Sequence, residues 1–501
     1  MISDVRNRLP FYWSDWTDAW DYRVIPSTVF IFFANILPAI AFAQDMFDRT
    51  KNAYGVNEVL MASALGGIVF GLFSGQPLCI VGVTGPIAIF NYTVFQIVDG
   101  MDVEYFPFMT WVCIWAFIMH TIIAVTNGVV LMKYITQFSC DIFGCFINII
   151  YIEKGIQILI RQLEHSDDQA GAYFSIVVAL CVLIFGVVSL VLAGHSNFGT
   201  IYMRKFVKDY SLPLIVVFFT GFTFFPGRIS ELKLLRLEVA TAFQPTTDLF
   251  GRDHGWFINF WHVNVGYVFL AIPFAILLTA LFYFDHNISS IICQGAEFDL
   301  KKPSTFHWDF FLLGVTTLVS GLLGIPPPNG LIPQAPLHTY SLVVNEHEEE
   351  PYQVVEQRLT NTAQGFMTLG LMTGPLLKVL HLVPQGVLGG LFFMMGVPGL
   401  LGCEITRRVG LLVTEADLRS SDPLYSLSFW VVITFLSLSI IGTAAEIAIT
   451  QTIAAVGFPG VLFLFMGVGA FLPKLFSESD LEVLDHPAAS KFFSKEAAKE
   501  L

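Results

Sequence analysis

Apolar runs close to the length of a membrane-crossing helix recur from one end of this chain to the other, and nothing else constrains its fold as tightly. A bilayer's hydrocarbon core is about 30 Å thick, so a helix crosses it in roughly 20 residues. Read with that ruler, spans fall near 24–46, 57–74, 85–98, 106–126, 140–162, 172–193 and 212–225. A second set falls near 262–284, 308–324, 334–344, 361–381, 386–402, 426–447 and 453–473. The 501-residue chain is 55% hydrophobic and only 13% charged, whereas soluble domains are about 25% charged. So much apolar surface needs lipid as its solvent. The expected fold is an all-α polytopic membrane protein of about 14 transmembrane segments.

The longest loop, 226–256, divides the spans into two groups, 22–225 and 257–475, of seven each. An odd number per group forces the second to insert upside down, which is the inverted-topology repeat of secondary transporters. Residues 1–21 precede the first span, and their Trp-rich stretch Pro10–Trp20 is expected to lie as an amphipathic helix in the membrane interface. Residues 476–501 form a polar tail. With both termini in the cytoplasm, roughly 17 Lys and Arg fall on that side against about 7 outside, a positive-inside bias. No cleavable leader precedes the first span, which is expected to act as its own insertion signal.

Several function classes drop out. The seven cysteines form no CxxC pair, so neither a disulfide framework nor a metal site is expected. No phosphate-binding loop, kinase set or Ser-His-Asp arrangement is present, so the chain is expected not to be an enzyme and to carry no cofactor. Uphill transport must then draw on ion gradients or exchange. The net charge of −14 speaks to solubility and steering, and much of it sits in loops such as His347–Glu350. No nucleic-acid partner is expected.

Two segments are punctured in matching places. Residues 75–90 contain Gly75, Pro77, Gly82, Gly85 and Pro86, and residues 324–341 contain Pro326, Pro327, Pro328, Gly330, Pro333 and Pro336. Proline removes a donor and clashes with the preceding turn, so neither can be one continuous spanning helix. An extended stretch followed by a half-helix is expected, starting near Thr84–Pro86 and near Gln334–Pro336. Non-helical backbone at membrane depth persists only where protein buries it or where it lines a cavity. Two half-helix N-termini facing each other present unpaired N–H groups and positive dipole ends, a site suited to an anion. The alternative is a pair of proline kinks with packing roles.

Intramembrane polar residues mark further candidates. Asp285 follows a long apolar run and could hold a proton, accept hydrogen bonds from a hydroxylated substrate or pair with a cation; otherwise it is a helix-end carboxylate. Gln44 and Asp45 close the first span at a comparable place in their repeat, as gating groups or as an ordinary interfacial end. His338 lies just inside the second half-helix and could contact the anion or make a structural hydrogen bond. Glu153, Lys154 and Glu446 read as satisfied ion pairs or helix-end contacts.

These same residues carry a family resemblance. Phe73–Phe90 (FSGQPLCIVGVTGPIAIF), Leu131–Ile152, Phe298–Leu312 (FDLKKPSTFHWDFFL) and Val383–Leu401 resemble motifs of the bicarbonate transporter and anion exchanger family. Phe284-Asp285-His286 and Pro327–Thr339 look like its borate efflux branch in plants and fungi; animal members carry Glu where Asp285 stands and Arg in place of His338. The resemblance implies a core domain (spans 1–4 and 8–11) moving against a gate domain (spans 5–7 and 12–14), with the anion between the third and tenth helices. It also implies a homodimer through the gate domain, in the plasma membrane. The large N-terminal cytoplasmic domain of animal members is not matched, and Glu153-Lys154 replaces their usual Tyr-Glu.

The expected function is export of borate, coupled to protons or hydroxide. The expected substrate groups are Thr84, Gly85, Asp285, Gln334, Ala335 and His338, with Asp285, Asp45 and Gln44 in coupling or gating. A bicarbonate or other inorganic-anion exchanger on the same fold is the alternative, followed by a non-transporting scaffold and an anion channel.

Overall fold

The computed structural model describes residues 1–166, 168–194, 199–240, 242–253, 255–295, 297–344, 352–415 and 423–485. His347–Glu350 and the tail beyond residue 485 lie outside the described residues. The first half contains α1 (Ile2–Arg8), α2 (Ser14–Thr17), α3 (Val24–Arg49), α4 (Val56–Phe73), β1 (Val81–Gly82), α5 (Gly85–Val98), α6 (Tyr105–Val125), α7 (Gln137–His165), α8 (Gln169–Gly194) and α9 (Ile201–Phe222). Then come α10 (Val265–Ile292), β2 (Phe298–Asp299), α11 (Phe306–Leu323), β3 (Asn329–Gly330), α12 (Gln334–Ser341), β4 (Tyr352–Gln353) and α13 (Leu359–Leu371). The remainder is α14 (Gly374–His381), α15 (Gln385–Gly402), α16 (Glu404–Val413), α17 (Phe429–Thr450), α18 (Phe458–Phe471) and α19 (Glu478–Leu484).

Among the described residues, ten helices are long and apolar enough to cross a membrane. The other four expected spans fall on helices whose apolar part is shorter. α5 and α12 are the anticipated half-helices, α9 has its apolar part at Tyr210–Phe222, and the run 361–381 is divided between α13 and α14. The division follows Gly374-Pro375, whose proline sits in the first turn of α14 and ends α13 ahead of it.

The Trp-rich segment departs from expectation. Instead of one amphipathic helix over Pro10–Trp20 it forms a 3-10 turn, Leu9–Phe11, and the single turn α2. The reason lies in Asp15. Its carboxylate is fully buried and takes Arg8, Lys302 at 2.7 Å and Arg358 at 2.5 Å. A buried carboxylate needs such partners, and reaching them folds the segment down onto the ends of α4, α11 and α13.

Helices from the two halves of the sequence interleave. α13 packs on α3 and α4, α11 on α6, and α10 on α6 and α12. Separately, α15 packs on α7 and α8, α17 on α7, and α8 on α9. Contacts between the two sets are fewer, chiefly of α15 with α3, α18 with α10, and the turn Ile453–Gly457 with α5. The α4–α13 seam is unusually close: a Cβ on Gly365 would lie 2.6 Å from the Ile68 amide, and one on Gly71 would lie 2.6 Å from the Thr362 amide. Small residues at such seams let helix backbones approach in the absence of a strong hydrophobic drive between helices.

β1 and β3 are the extended stretches ahead of the half-helices. They pair antiparallel, Val81 with Gly330 and Gly82 with Asn329, and the Leu331 amide donates to the Ile80 carbonyl at 2.9 Å. This crossing satisfies backbone groups that the prolines and glycines exclude from helical bonding. Because it locks the two segments side by side, it brings the starts of α5 and α12 to the same depth.

Candidate functional site

The starts of α5 and α12 are built for this position. Thr84 is the N-cap of α5 in extended conformation, and its hydroxyl accepts from the Ile87 amide at 3.4 Å. Gly85 and Pro86 open the helix, and a Cβ on Gly85 would lie 2.9 Å from the Phe42 ring. On the other side, Gln334 opens α12 and donates from Nε2 to the Ala34 carbonyl at 3.1 Å. Its Oε1 is buried without a partner among the described residues. Ala335 is fully buried behind it.

Asp285 is no helix-end carboxylate. α10 runs on through it to Ile292, and residues 281–291 are all buried. The carboxylate accepts from Asn329 Nδ2 at 3.2 Å on one oxygen, while Oδ1 has no partner among the described residues. It faces a cavity of about 20 Å3 whose wall includes Thr84, Pro86, Phe143, Tyr151 and Gly330. The crossing comes near α10 as well: a Cβ on Gly330 would lie 2.8 Å from the His286 Cα. One cavity therefore joins Thr84 to Asp285, with β3 between α10 and the half-helices.

Of the expected residues, Thr84 and Asp285 line this cavity; Gly85 and Gln334 are next to its lining residues in sequence and Ala335 follows Gln334, without lining it, and the rest sit elsewhere. His338 is fully buried and engaged at both ring nitrogens, by the Leu78 carbonyl at 2.9 Å and the Thr360 hydroxyl at 2.5 Å. It ties α12 to the stretch before β1 and to α13, and does not line the cavity. Asp45 anchors an ion cluster at the far end of α3. Lys154 lies 2.8 Å from it, Arg161 2.7 Å and Arg49 3.1 Å, and Arg161 also meets Asp48. Gln44 donates to Asp48 at 3.0 Å and accepts from the Glu238 amide at 3.3 Å, fastening the loop 226–256. Lys154 is thus paired, as its sequence setting suggested. Glu446 is not: it is buried and neither carboxylate oxygen has a partner among the described residues.

Sequence reasoning missed three groups here. Asn329, the partner of Asp285, lies inside the punctured PPPNG stretch and was hidden by the attention its prolines draw. Tyr151 and Phe143, which close the cavity from α7, sit in an ordinary apolar span whose facing only packing reveals. Asn287, two residues past Asp285, carries buried polar atoms without partners among the described residues; the signal was a run of polar residues, His286 among them, inside an apolar helix.

Comparison with known proteins decides the family. Residues 1–174 and 162–489 match the HCO3- transporter integral membrane domain. The chain belongs to this family. It is 50% identical to Boron transporter 1 of Saccharomyces cerevisiae, over 98% of this chain and 86% of that protein. Identity to Boron transporter 4 of Arabidopsis thaliana is 30%, over 73% of this chain and 55% of the plant protein. Human Band 3 anion transport protein is 26% identical over 100% of this chain and 57% of its own length. Among solved structures, the transmembrane domain of the cyanobacterial bicarbonate transporter BicA shares the fold, with a TM-score of 0.56 at 14% identity over 87% of this chain and 98% of that one. The resemblance read from the four sequence motifs is borne out. The family's members are membrane transporters, and this chain is an integral membrane transporter, not an enzyme.

Proposed function

We propose that this transporter exports borate across the plasma membrane, coupled to protons or hydroxide, by alternating access. The observation that carries the reading is the shared cavity of Thr84 and Asp285 at the start of a half-helix, with one oxygen of Asp285 unpartnered among the described residues. Borate is a compact anion with four hydroxyl groups. Its charge suits the positive ends of α5 and α12, while its hydroxyls can donate to the Asp285 carboxylate. Bicarbonate has a single hydroxyl, so an ionised carboxylate repels it with less compensation. Thr84, Gly85, Gln334 and Ala335 form the anion cradle, Asp285 binds hydroxyls or carries the coupled proton, and His338 braces α12 from behind. The names of the yeast and plant relatives support the same substrate.

A cavity of about 20 Å3 admits about one water-sized probe. Borate therefore enters only when Phe143 and Tyr151 on α7 move away from Thr84 and Asp285. The two packing sets supply the moving parts. In this reading α3–α6 and α10–α13 form the core domain, α7–α9, α15, α17 and α18 form the gate domain, and the two halves are a seven-plus-seven inverted repeat. The Asp45 cluster, which joins α3 to α7, is the outer gate; both termini are cytoplasmic, and two copies associate through the gate domain.

The deciding experiment is borate flux in proteoliposomes with and without a pH gradient. Wild type should export borate in a gradient-dependent way, and Asp285→Asn should lose coupled export while keeping its fold. Normal export by Asp285→Asn would sink the mechanism. Exchange of bicarbonate or another inorganic anion is the second reading, favoured by the family's description. Counterflow with borate against bicarbonate separates the two.

A further inference from the structure

A cavity of about 390 Å3 opens where the two packing sets meet. One wall comes from α6 and α10, with Met119, Ile276 and Ala280, and the facing wall comes from α18, with Phe463 and Met466. The turn Gly128–Tyr134, which follows α6, closes one end through Gly128 and Leu131. The cavity follows α10 from Ile276 to Tyr283, about 10 Å at the rise of an α-helix. It is thus a slot along one of the few places where α18 touches α10.

None of the lining residues carries a charge. The two side-chain hydroxyls among them are committed. Thr279 donates to Met119 Sδ at 3.8 Å, and Tyr283 donates to the carbonyls of Gly128 and Val129 at 3.1 Å. An ionic or hydroxylated ligand would give up its hydration here without a matching hydrogen bond, which is costly. The slot is therefore no second place for borate. Its remaining side chains are aliphatic, aromatic or thioether, and methionine adapts to the shape of what it packs against.

Its position says what fills it. At the mouth, Ile122 and Ile276 are 54% and 53% exposed on helices that cross the membrane, so the slot opens to hydrocarbon and not to water. Just past Leu131, on the same turn, Lys133 and Tyr134 are exposed, with Lys133 Nζ 5.0 Å from the centre of the Tyr134 ring. Tyrosine and lysine of this kind mark the headgroup level. A phospholipid with its headgroup there has its acyl chain alongside the mouth. The volume suits a flexible chain, being two to three times that of a roughly 150 Å3 apolar cavity that takes up benzene. Lipid tails are as apolar as leucine, so the chain gains nothing by leaving hydrocarbon; the gain is contact with wall atoms that otherwise face a void.

We propose that one acyl chain of a membrane phospholipid inserts between α6, α10 and α18, with its headgroup beside Lys133 and Tyr134. The walls belong to both packing sets, so the chain is held only while α10 and α18 keep this spacing, and its binding favours that arrangement. One consequence rests on the alternating-access reading given above: the chain is a wedge between the moving parts, and apolar compounds dissolved in the bilayer compete for the same place.

The test uses the full chain in phosphatidylcholine vesicles that contain a phosphatidylcholine with a diazirine on its acyl chain. After illumination, adducts are mapped by mass spectrometry of peptides. Met119 and Met466 should be labelled in preference to Ile440 and Ile441, which are 46% and 59% exposed on α17 and stand for ordinary lipid contact. Ala280→Trp fills the slot and should cut labelling of Met119 and Met466 roughly tenfold, the ratio that about 1.4 kcal/mol of lost binding gives, with α17 unchanged. Ile276→Trp obstructs the mouth from an exposed position and should act similarly; it decides the matter if Ala280→Trp fails to fold. Labelling of Met119 and Met466 no stronger than that of α17, or undiminished in Ile276→Trp, would overturn the proposal. So would labelling that falls when the protein is packed densely enough to associate, since a second copy would then cover the slot. The readout is labelling, so its outcome is separate from that of the borate flux experiment.

Discussion

Replacing Asp45 by Asn should move the protein out of the arrangement described above by about two orders of magnitude in population. Asp45 is fully buried, and two of its three cationic partners, Lys154 and Arg161, come from α7 rather than from its own helix. Removing one member of a buried ion pair costs about 3–5 kcal/mol, because the other is stranded. Lys154 has a side chain only 3% exposed and would retain the Tyr92 hydroxyl at 3.3 Å. Arg49 and Arg161 are 31% and 23% exposed and have Gln157 and Asp48 to fall back on, so their shares are screened and small. The lower figure, about 3 kcal/mol, is therefore the better one, and it corresponds to roughly a hundredfold. A state in which α3 and α7 have separated has no such pairing to lose. Spin labels on the exposed ends of α3 and α7, read by pulsed EPR, should show a second, longer distance in Asp45→Asn. The double variant Asp45→Leu/Lys154→Met should recover much of the loss, since an apolar pair carries no desolvation penalty. An unchanged distance distribution together with a stability loss below about 1 kcal/mol, the range of an exposed pair, would refute the reasoning.

Other perturbations follow from the same geometry. Gly330→Ala places a Cβ 2.8 Å from the His286 Cα and 3.0 Å from the Ser289 Cβ; overpacking of this kind costs about 1–3 kcal/mol, so Tm should fall and borate turnover with it as Asn329 is pushed from Asp285. His338→Ala strands the Leu78 carbonyl and leaves the Thr360 hydroxyl with Gln357 Nε2 alone, at about 1–3 kcal/mol. Its Tm should drop with the KM for borate unchanged, and the opposite pattern would place the ring at the substrate. Asp15→Asn removes the carboxylate shared by Arg8, Lys302 and Arg358, leaving Lys302 with Asp18 and Arg358 with backbone carbonyls, and should cost about 3–5 kcal/mol; a denaturation midpoint equal to wild type would show that the cluster is solvated.

The membrane fold, most of the spans and the two half-helices were legible in the order of residues because each depends on local chemistry. The length of an apolar run sets a span, and Pro or Gly at a given place removes a particular hydrogen bond wherever the chain goes. Asp285 was legible for a similar reason, as a carboxylate in an apolar run must face something polar. The partners of each group were not. Asp45 and Asp285 are both buried carboxylates late in long apolar helices, yet one meets three cations and the other a single amide, with one oxygen unpartnered among the described residues. His338 lies one turn inside its half-helix but points to Thr360 and Leu78 instead of the cavity. Arg8 and Asp15 look like ordinary interfacial charges until the N-terminal segment folds onto α4, α11 and α13. Burial and pairing are properties of surfaces brought together from distant parts of the chain, and only the packed bundle determines which surfaces meet.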